Sequence, residues 1–164
     1  DRQMGMFYYV SNHQLNEVPG LDDQGPDVLD DIDREDFKCR LKGFHGEIKG
    51  ILTRGRVLSG IGNAYADEIL FDAKVDPFKP RKQLSPDELR RIHHSARQAI
   101  VDATLVVRDR MNGQLGHKLR DFLAVHNKGW QECPDCGNKI SQITVDKRIT
   151  SYCRRCQPGM LIKN

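Results

Sequence analysis

Four of the five cysteines fall into two pairs, Cys133-Pro134-Asp135-Cys136 and Cys153-Arg154-Arg155-Cys156, with sixteen residues between the pairs. A C-x2-C turn presents two thiolates from one tight knuckle. Two such knuckles at the ends of a β-hairpin close a tetrahedral site for Zn2+. Gly137, just past the first pair, suits the left-handed backbone that such a knuckle needs. With all four positions filled by protein, no place is left for a water, so the ion is expected to be structural and not catalytic. A hairpin of this size has little core of its own, and metal binding would supply much of its folding energy. The competing chemistry of the same residues is a redox or disulfide pair. Cys39 stands apart and reads as a core or surface thiol on the first helix.

The second candidate is Ser59-Gly60-Ile61-Gly62-Asn63. Residues without bulk let a backbone come close to a phosphate, and free amides at a helix start favour an anion there. Asn63 adds a side-chain donor. The same string also reads as a tight turn between two helices. The six histidines are scattered, and His93 and His94 are adjacent, so they do not share a helix face; all six read as structural.

The elements that must position these groups are legible in outline. Residues 1–11 alternate loosely and read as a strand, although a lone strand needs a partner. The acidic stretch 16–33, with Pro19, Gly20, Gly25 and Pro26, reads as a connecting loop. Asp33 is placed to cap a helix to about Leu41, and a second helix is expected over residues 48–57. Asn63 is expected to cap a third helix ending near Ala73, with Asp67 and Glu68 favouring the positive end of its dipole. Ser85-Pro86-Asp87-Glu88 spells a capping box, and Leu89, Ile92, Ala96, Ile100, Ala103 and Val107 then recur at helical spacing as a core-facing stripe. Beyond Gly129 the runs 140–145 and 149–152 are β-like. The fold class expected is mainly α, a helical domain followed by a small four-cysteine zinc β-hairpin. Domains are expected over residues 1–25, 26–125 and 126–164.

Composition is that of a globular chain, with 38% hydrophobic and 30% charged residues. No apolar run approaches the ~20 residues that cross a bilayer, and no apolar h-region follows Asp1-Arg2-Gln3. The chain therefore reads as cytoplasmic, with no membrane partner and as a monomer. The net charge of +3 hides a division: residues 1–36 carry −8 and residues 37–164 carry +11. Around the metal knuckles, Lys139, Lys147, Arg148, Arg154, Arg155 and Lys163 face only Asp146. A rigid hairpin with arginine at its tip is a device for reaching phosphates; on charge alone, a solvated surface reads equally well.

In context these pieces converge. Gly60-Ile61-Gly62-Asn63-Ala64-Tyr65-Ala66-Asp67-Glu68-Ile69-Leu70-Phe71, followed by Pro77 and Pro80, resembles the helix-two-turns-helix signature of the formamidopyrimidine-DNA glycosylase and endonuclease VIII family. Arg148-Ile149-Thr150-Ser151-Tyr152-Cys153-Arg154-Arg155-Cys156-Gln157 is similar to the closing zinc-hairpin motif of that family. Gly25-Pro26-Asp27 resembles its post-linker Gly-Pro, and Asp1-Arg2-Gln3-Met4-Gly5 the strand near the end of its catalytic domain. The resemblance implies base excision repair and double-stranded DNA with a damaged or abasic site as partner. It implies phosphate contacts from Lys49, Asn63 and the loop glycines Gly60 and Gly62. It gives Arg148 the phosphate beside an extruded nucleotide, and Arg2 and Met4 the gap that nucleotide leaves. Met4 stands where the family usually has an aromatic wedge. Arg54 and Arg56 are more basic than that stretch commonly is, and residues 112–128 match poorly.

The family attacks the sugar with an N-terminal proline and uses a following glutamate as acid. Here residue 1 is Asp and residue 2 is Arg. The expectation is a DNA-gripping C-terminal half whose parent is a glycosylase and abasic-site lyase, with no catalytic residue in this chain. The alternative is a self-contained, non-catalytic DNA- or RNA-binding module with a structural zinc.

Overall fold

A computed structural model describes residues 7–111 and 119–159. Helix α1, Arg34–Lys42, starts where Asp33 accepts a hydrogen bond from the Asp36 amide, and Glu35 and Asp36 sit at its positive end. Helix α2, Ile48–Leu52, is short. Helix α3 is Asn63–Asp72. Helix α4, Pro86–Arg110, opens on a complete capping box: the Ser85 hydroxyl accepts from the Glu88 amide while the Glu88 carboxylate accepts from the Ser85 amide. Strands β1, Ser141–Val145, and β2, Arg148–Tyr152, form an antiparallel hairpin in which Val145 faces Arg148 and Ser141 faces Tyr152. Its turn residues, Asp146 and Lys147, both have positive φ, 48° and 63°, as a two-residue turn matching strand twist requires.

Two cores result. The larger joins Phe37 and Leu41 of α1, Ile48, Ile51 and Leu52 of α2, Ile69 and Leu70 of α3, and Ile92 and Ala96 of α4. The smaller gathers Val125, Cys133, Ile140 and Cys153 around Phe71 of α3. Thus α3 is the beam both halves share. Its neighbours Leu70 and Phe71 point into different cores, so the hairpin is fixed to the helices by packing.

Three expectations are corrected. Residues 7–11 are not in a strand, and Phe7 and Tyr9 are more than 90% exposed. Residues 1–6 lie outside the described residues. Second, α2 ends at Leu52 and not at residue 57. Gly55 turns the chain with φ 72°, and the buried Val57 and Leu58 run on toward Ser59, along the linker. The Gly25 amide donates to the Gly55 carbonyl (2.8 Å), Ser59 to Pro26 (2.8 Å) and Val28 to Ser59 (3.1 Å). Their apolar character served this tertiary pairing and not a helix face. Third, Gly62 is the N-cap of α3 and Asn63 its first residue, because the Asn63 side chain is engaged elsewhere. The α4 stripe is as expected at Ile92, Ala96 and Ala103, which are buried, while Leu89, Ile100 and Val107 are half-buried.

Candidate nucleic-acid interface and metal centre

The four sulfurs of Cys133, Cys136, Cys153 and Cys156 lie within 4.8 Å of one another. Cys133 Sγ stands 3.7 Å from Cys156 Sγ, and Cys136 Sγ 3.5 Å from Cys153 Sγ. Sulfurs at ~2.3 Å from a tetrahedral zinc would be about 3.8 Å apart, so the donor set fits the ion, and these distances are far too long for disulfides. Local structure makes the knuckles. Cys133 N–H donates to Asn138 O (2.8 Å) and Gly137 N–H to Cys133 O (2.9 Å), with Gly137 at φ 71°. Gln157 accepts from the Cys153 amide and donates to Val75 O, both at 2.9 Å, tying the second knuckle to the end of α3. An ion pair between Lys74 and Asp135 ties the first. The amide of Asn138, donating to its sulfur, lowers the Cys136 thiol to about 7, whereas burial pushes the Cys133 and Cys156 thiols up. The site therefore supplies thiolate readily at one corner, and a cation draws the other protons off. The four cysteines constitute one structural zinc site.

Between the helices and the hairpin runs a buried polar network. Asp67 on α3 is fully buried. Its Oδ1 has no hydrogen-bond partner of good geometry and faces Lys49 Nζ as an ion pair at 2.7 Å. Its Oδ2 accepts from the Ser151 amide of β2 (3.1 Å) and stands 2.7 Å from His126 Nδ1. Lys49 Nζ also donates to Ile149 O (2.7 Å) and Thr150 Oγ1 (2.8 Å). Burial holds the Lys49 ammonium below its ordinary range, although Asp67 pulls the other way. The next residue, Glu68, accepts from three successive amides, Ala124, Val125 and His126, at 2.7–2.9 Å.

The structure brings several expected site residues together. Asn63 Nδ2 donates to Ile149 O at 2.7 Å, the oxygen that Lys49 also holds. Two donors from α2 and α3 thus converge on one backbone oxygen, beside exposed Arg148 at the hairpin tip. Gly60 has φ 87°, and a Cβ there would stand 3.3 Å from Val28 Cγ1; Gly62 is exposed in front of α3. Among the described residues, no protein acceptor is bound by the amides of Gly60, Ile61 or Gly62. Lys49, at 7% exposure, is interior and not free at the surface. Arg2 and Met4 lie outside the described residues. Sequence reasoning missed Asp67, Glu68, His126 and Ser151. The two acids stand inside the recognised motif, but there they read as dipole charges.

The family described as the formamidopyrimidine-DNA glycosylase H2TH domain matches residues 25–111, more than half of the chain, and the zinc finger found in FPG and IleRS matches residues 131–159. The chain belongs to the formamidopyrimidine-DNA glycosylase family. It is 34% identical to the formamidopyrimidine-DNA glycosylase of Pelotomaculum thermopropionicum, with 95% of this chain aligned to 59% of that protein. An uncharacterized formamidopyrimidine-DNA glycosylase-like protein of Mycobacterium tuberculosis is 35% identical, over 82% of this chain and 85% of that one. The crystal structure of Lactococcus lactis formamidopyrimidine-DNA glycosylase, bound non-covalently to DNA containing an abasic site, superimposes with a TM-score of 0.78 at 28% identity, over 92% of this chain and 56% of that one. The chain thus spans little more than half the length of most glycosylases it resembles. No helix among the described residues is long and apolar enough to cross a membrane.

Proposed function

We propose that this chain grips double-stranded DNA at a damaged or abasic site, as the helix-two-turns-helix and zinc-hairpin part of a glycosylase of base excision repair. One observation carries the reading: Lys49 Nζ and Asn63 Nδ2 converge on the Ile149 carbonyl, at the seam between unsatisfied glycine-loop amides and Arg148. Donors gathered on a single oxygen are arranged to receive a phosphate oxygen, and backbone amides at the start of α3 add to the attraction. Gly60, Gly62, Asn63 and Arg148 contact phosphates directly. Lys49 lies behind them and reaches a phosphate only by exchanging Ile149 O for it. Arg2 and Met4 fill the space of an extruded nucleotide. The zinc ion fixes the hairpin so that Arg148 stays aimed at the strand, and the chain works as a monomer.

Excision of oxidised purines and strand cleavage belong to the parent activity. Among the described residues the buried amine is Lys49, and its three partners leave it no lone pair to offer a sugar. The chain alone therefore binds without cleaving.

The test is affinity for a duplex with one abasic-site analogue, measured across salt concentrations. Each phosphate contact contributes about −0.9 to the log–log slope. Arg148→Ala should weaken binding and flatten the slope by about one unit. An unchanged slope would put Arg148 off the DNA.

A further inference from the structure

Arg54 and Arg56 are the residues this function leaves unused. They stand in the turn after α2, where Gly55 adopts φ 72°, three residues before the phosphate-binding loop begins. A cavity of about 390 Å³ opens there, lined by Asp23, Arg54, Arg56, Ser59 and Gly60. Its polar groups are mostly donors. The exposed Arg54 side chain has no ion-pair or hydrogen-bond acceptor among the described residues, and neither has the Ser59 hydroxyl. Gly60 lends an unsatisfied amide. The one acid on the wall is Asp23, whose Oδ2 meets Arg56 Nη2 at 2.6 Å.

That pair is not what holds the acidic linker in place. Three backbone hydrogen bonds do so, from Gly25 to Gly55, Ser59 to Pro26 and Val28 to Ser59. Gly25 is packed so closely that a Cβ would come within 2.7 Å of the backbone of Arg56 and Val57. The linker is thereby laid along 55–59 whether or not Asp23 carries a charge. Both side chains of the pair are more than half exposed, and an ion pair so exposed is worth little. A carboxylate held weakly on a guanidinium, in a cavity of donors continuous with the glycine loop, occupies the place of an external anion.

We propose that Arg54 and Arg56 form a further subsite for a phosphodiester of the bound DNA strand, and that Asp23 fills it in the DNA-free protein. The inference rests on the DNA-binding reading above and extends it by one phosphate. The acidic linker then has a use: DNA must displace Asp23, which weakens binding to any duplex and leaves the tighter phosphate contacts to select a site where the strand is distorted.

The two partners of one ion pair should shift DNA affinity in opposite directions. For the zinc-loaded chain on the abasic-site duplex, Arg56→Ala should weaken binding and flatten the salt slope by about 0.9. Asp23→Ala should tighten binding, about two- to fivefold for an exposed pair, and should have no effect in the Arg56→Ala background. Arg54→Ala should flatten the slope as Arg56→Ala does. A purely structural pair gives the contrary pattern, in which Asp23→Ala and Arg56→Ala both weaken binding or both leave it unchanged; either overturns the subsite. Arg148→Ala separates the two levels. If it flattens the slope while Arg56→Ala does not, only the subsite falls. If the wild-type chain binds no duplex, the DNA-binding reading falls with it.

Discussion

Asp67 shows how much one buried carboxylate can organise. It joins Lys49 of α2, the amide of Ser151 in β2 and His126 in the segment between. Removing one partner of a buried pair strands the other without compensation, which costs about 3–5 kcal/mol. Asp67→Ala should therefore lower the urea midpoint by that equivalent, and Lys49→Met added to it should recover part of the loss. Titration offers a second check. Burial depresses the Lys49 ammonium below 10.5, so between its folded and unfolded pKa values the unfolded chain binds more protons, and stability rises with pH. The stability of the wild type relative to Lys49→Met should improve as pH rises through the depressed folded-state pKa toward 10.5, the cost of the buried ammonium being present in full below that folded-state pKa. A difference that is flat or of opposite sign in urea titrations would contradict a buried charge at Lys49. None of this was readable at the residue level from sequence. Asp67 sits in the first turns of a helix, where any acid looks like a dipole partner, while its actual partners lie 18 positions before it and 59 and 84 after it in the chain.

At the scale of elements, what sequence could reveal was whatever is encoded within a few residues. Asp33, the box from Ser85 to Glu88, the stripe on α4 and the two C-x2-C knuckles are local patterns, and each element formed as they dictate. The end of α2 is not local. Val57 and Leu58 extend the apolar rhythm of α2, yet they are buried after a left-handed turn at Gly55, beside a linker some thirty residues upstream. Gly25 is the price of that contact in sequence space, since Gly25→Ala puts a Cβ 2.6 Å from the Arg56 carbonyl. It should destabilise the helical half by about 1–3 kcal/mol, read as a lower thermal midpoint with zinc binding intact. The hairpin depends on its metal instead. Four of the five β1 residues are exposed, so the strands bury little by themselves. Chelation should abolish the hairpin's amide-proton protection while the helical circular dichroism of α1–α4 persists, because Phe71 is the one helix residue in the smaller apolar core and the larger core stays whole. Concerted loss of both signals would show a single cooperative unit.

For the whole molecule, charge and chemistry point to different tasks. A basic body carries its acidic linker along residues 55–59, beside the glycine loop, so binding should be steep in salt and resisted by the linker. Bond cleavage, by contrast, requires an amine that is exposed, unprotonated and aimed at a sugar carbon. Burial depresses the basicity of Lys49, which favours the second condition without meeting the other two. Yet its Nζ is spent on Asp67 Oδ1, Ile149 O and Thr150 Oγ1, all within 2.8 Å. Reaching a sugar would mean breaking all three contacts and leaving Asp67 buried without its cation, which is the arrangement buried carboxylates tolerate least. Borohydride added to the chain on an abasic-site duplex should therefore trap no covalent adduct, while the same mixture gives a shifted band on a native gel. A trapped adduct that Lys49→Met abolishes would show that the network opens on DNA and that this lysine is a nucleophile after all. An adduct that survives Lys49→Met would place the reactive amine elsewhere in the chain.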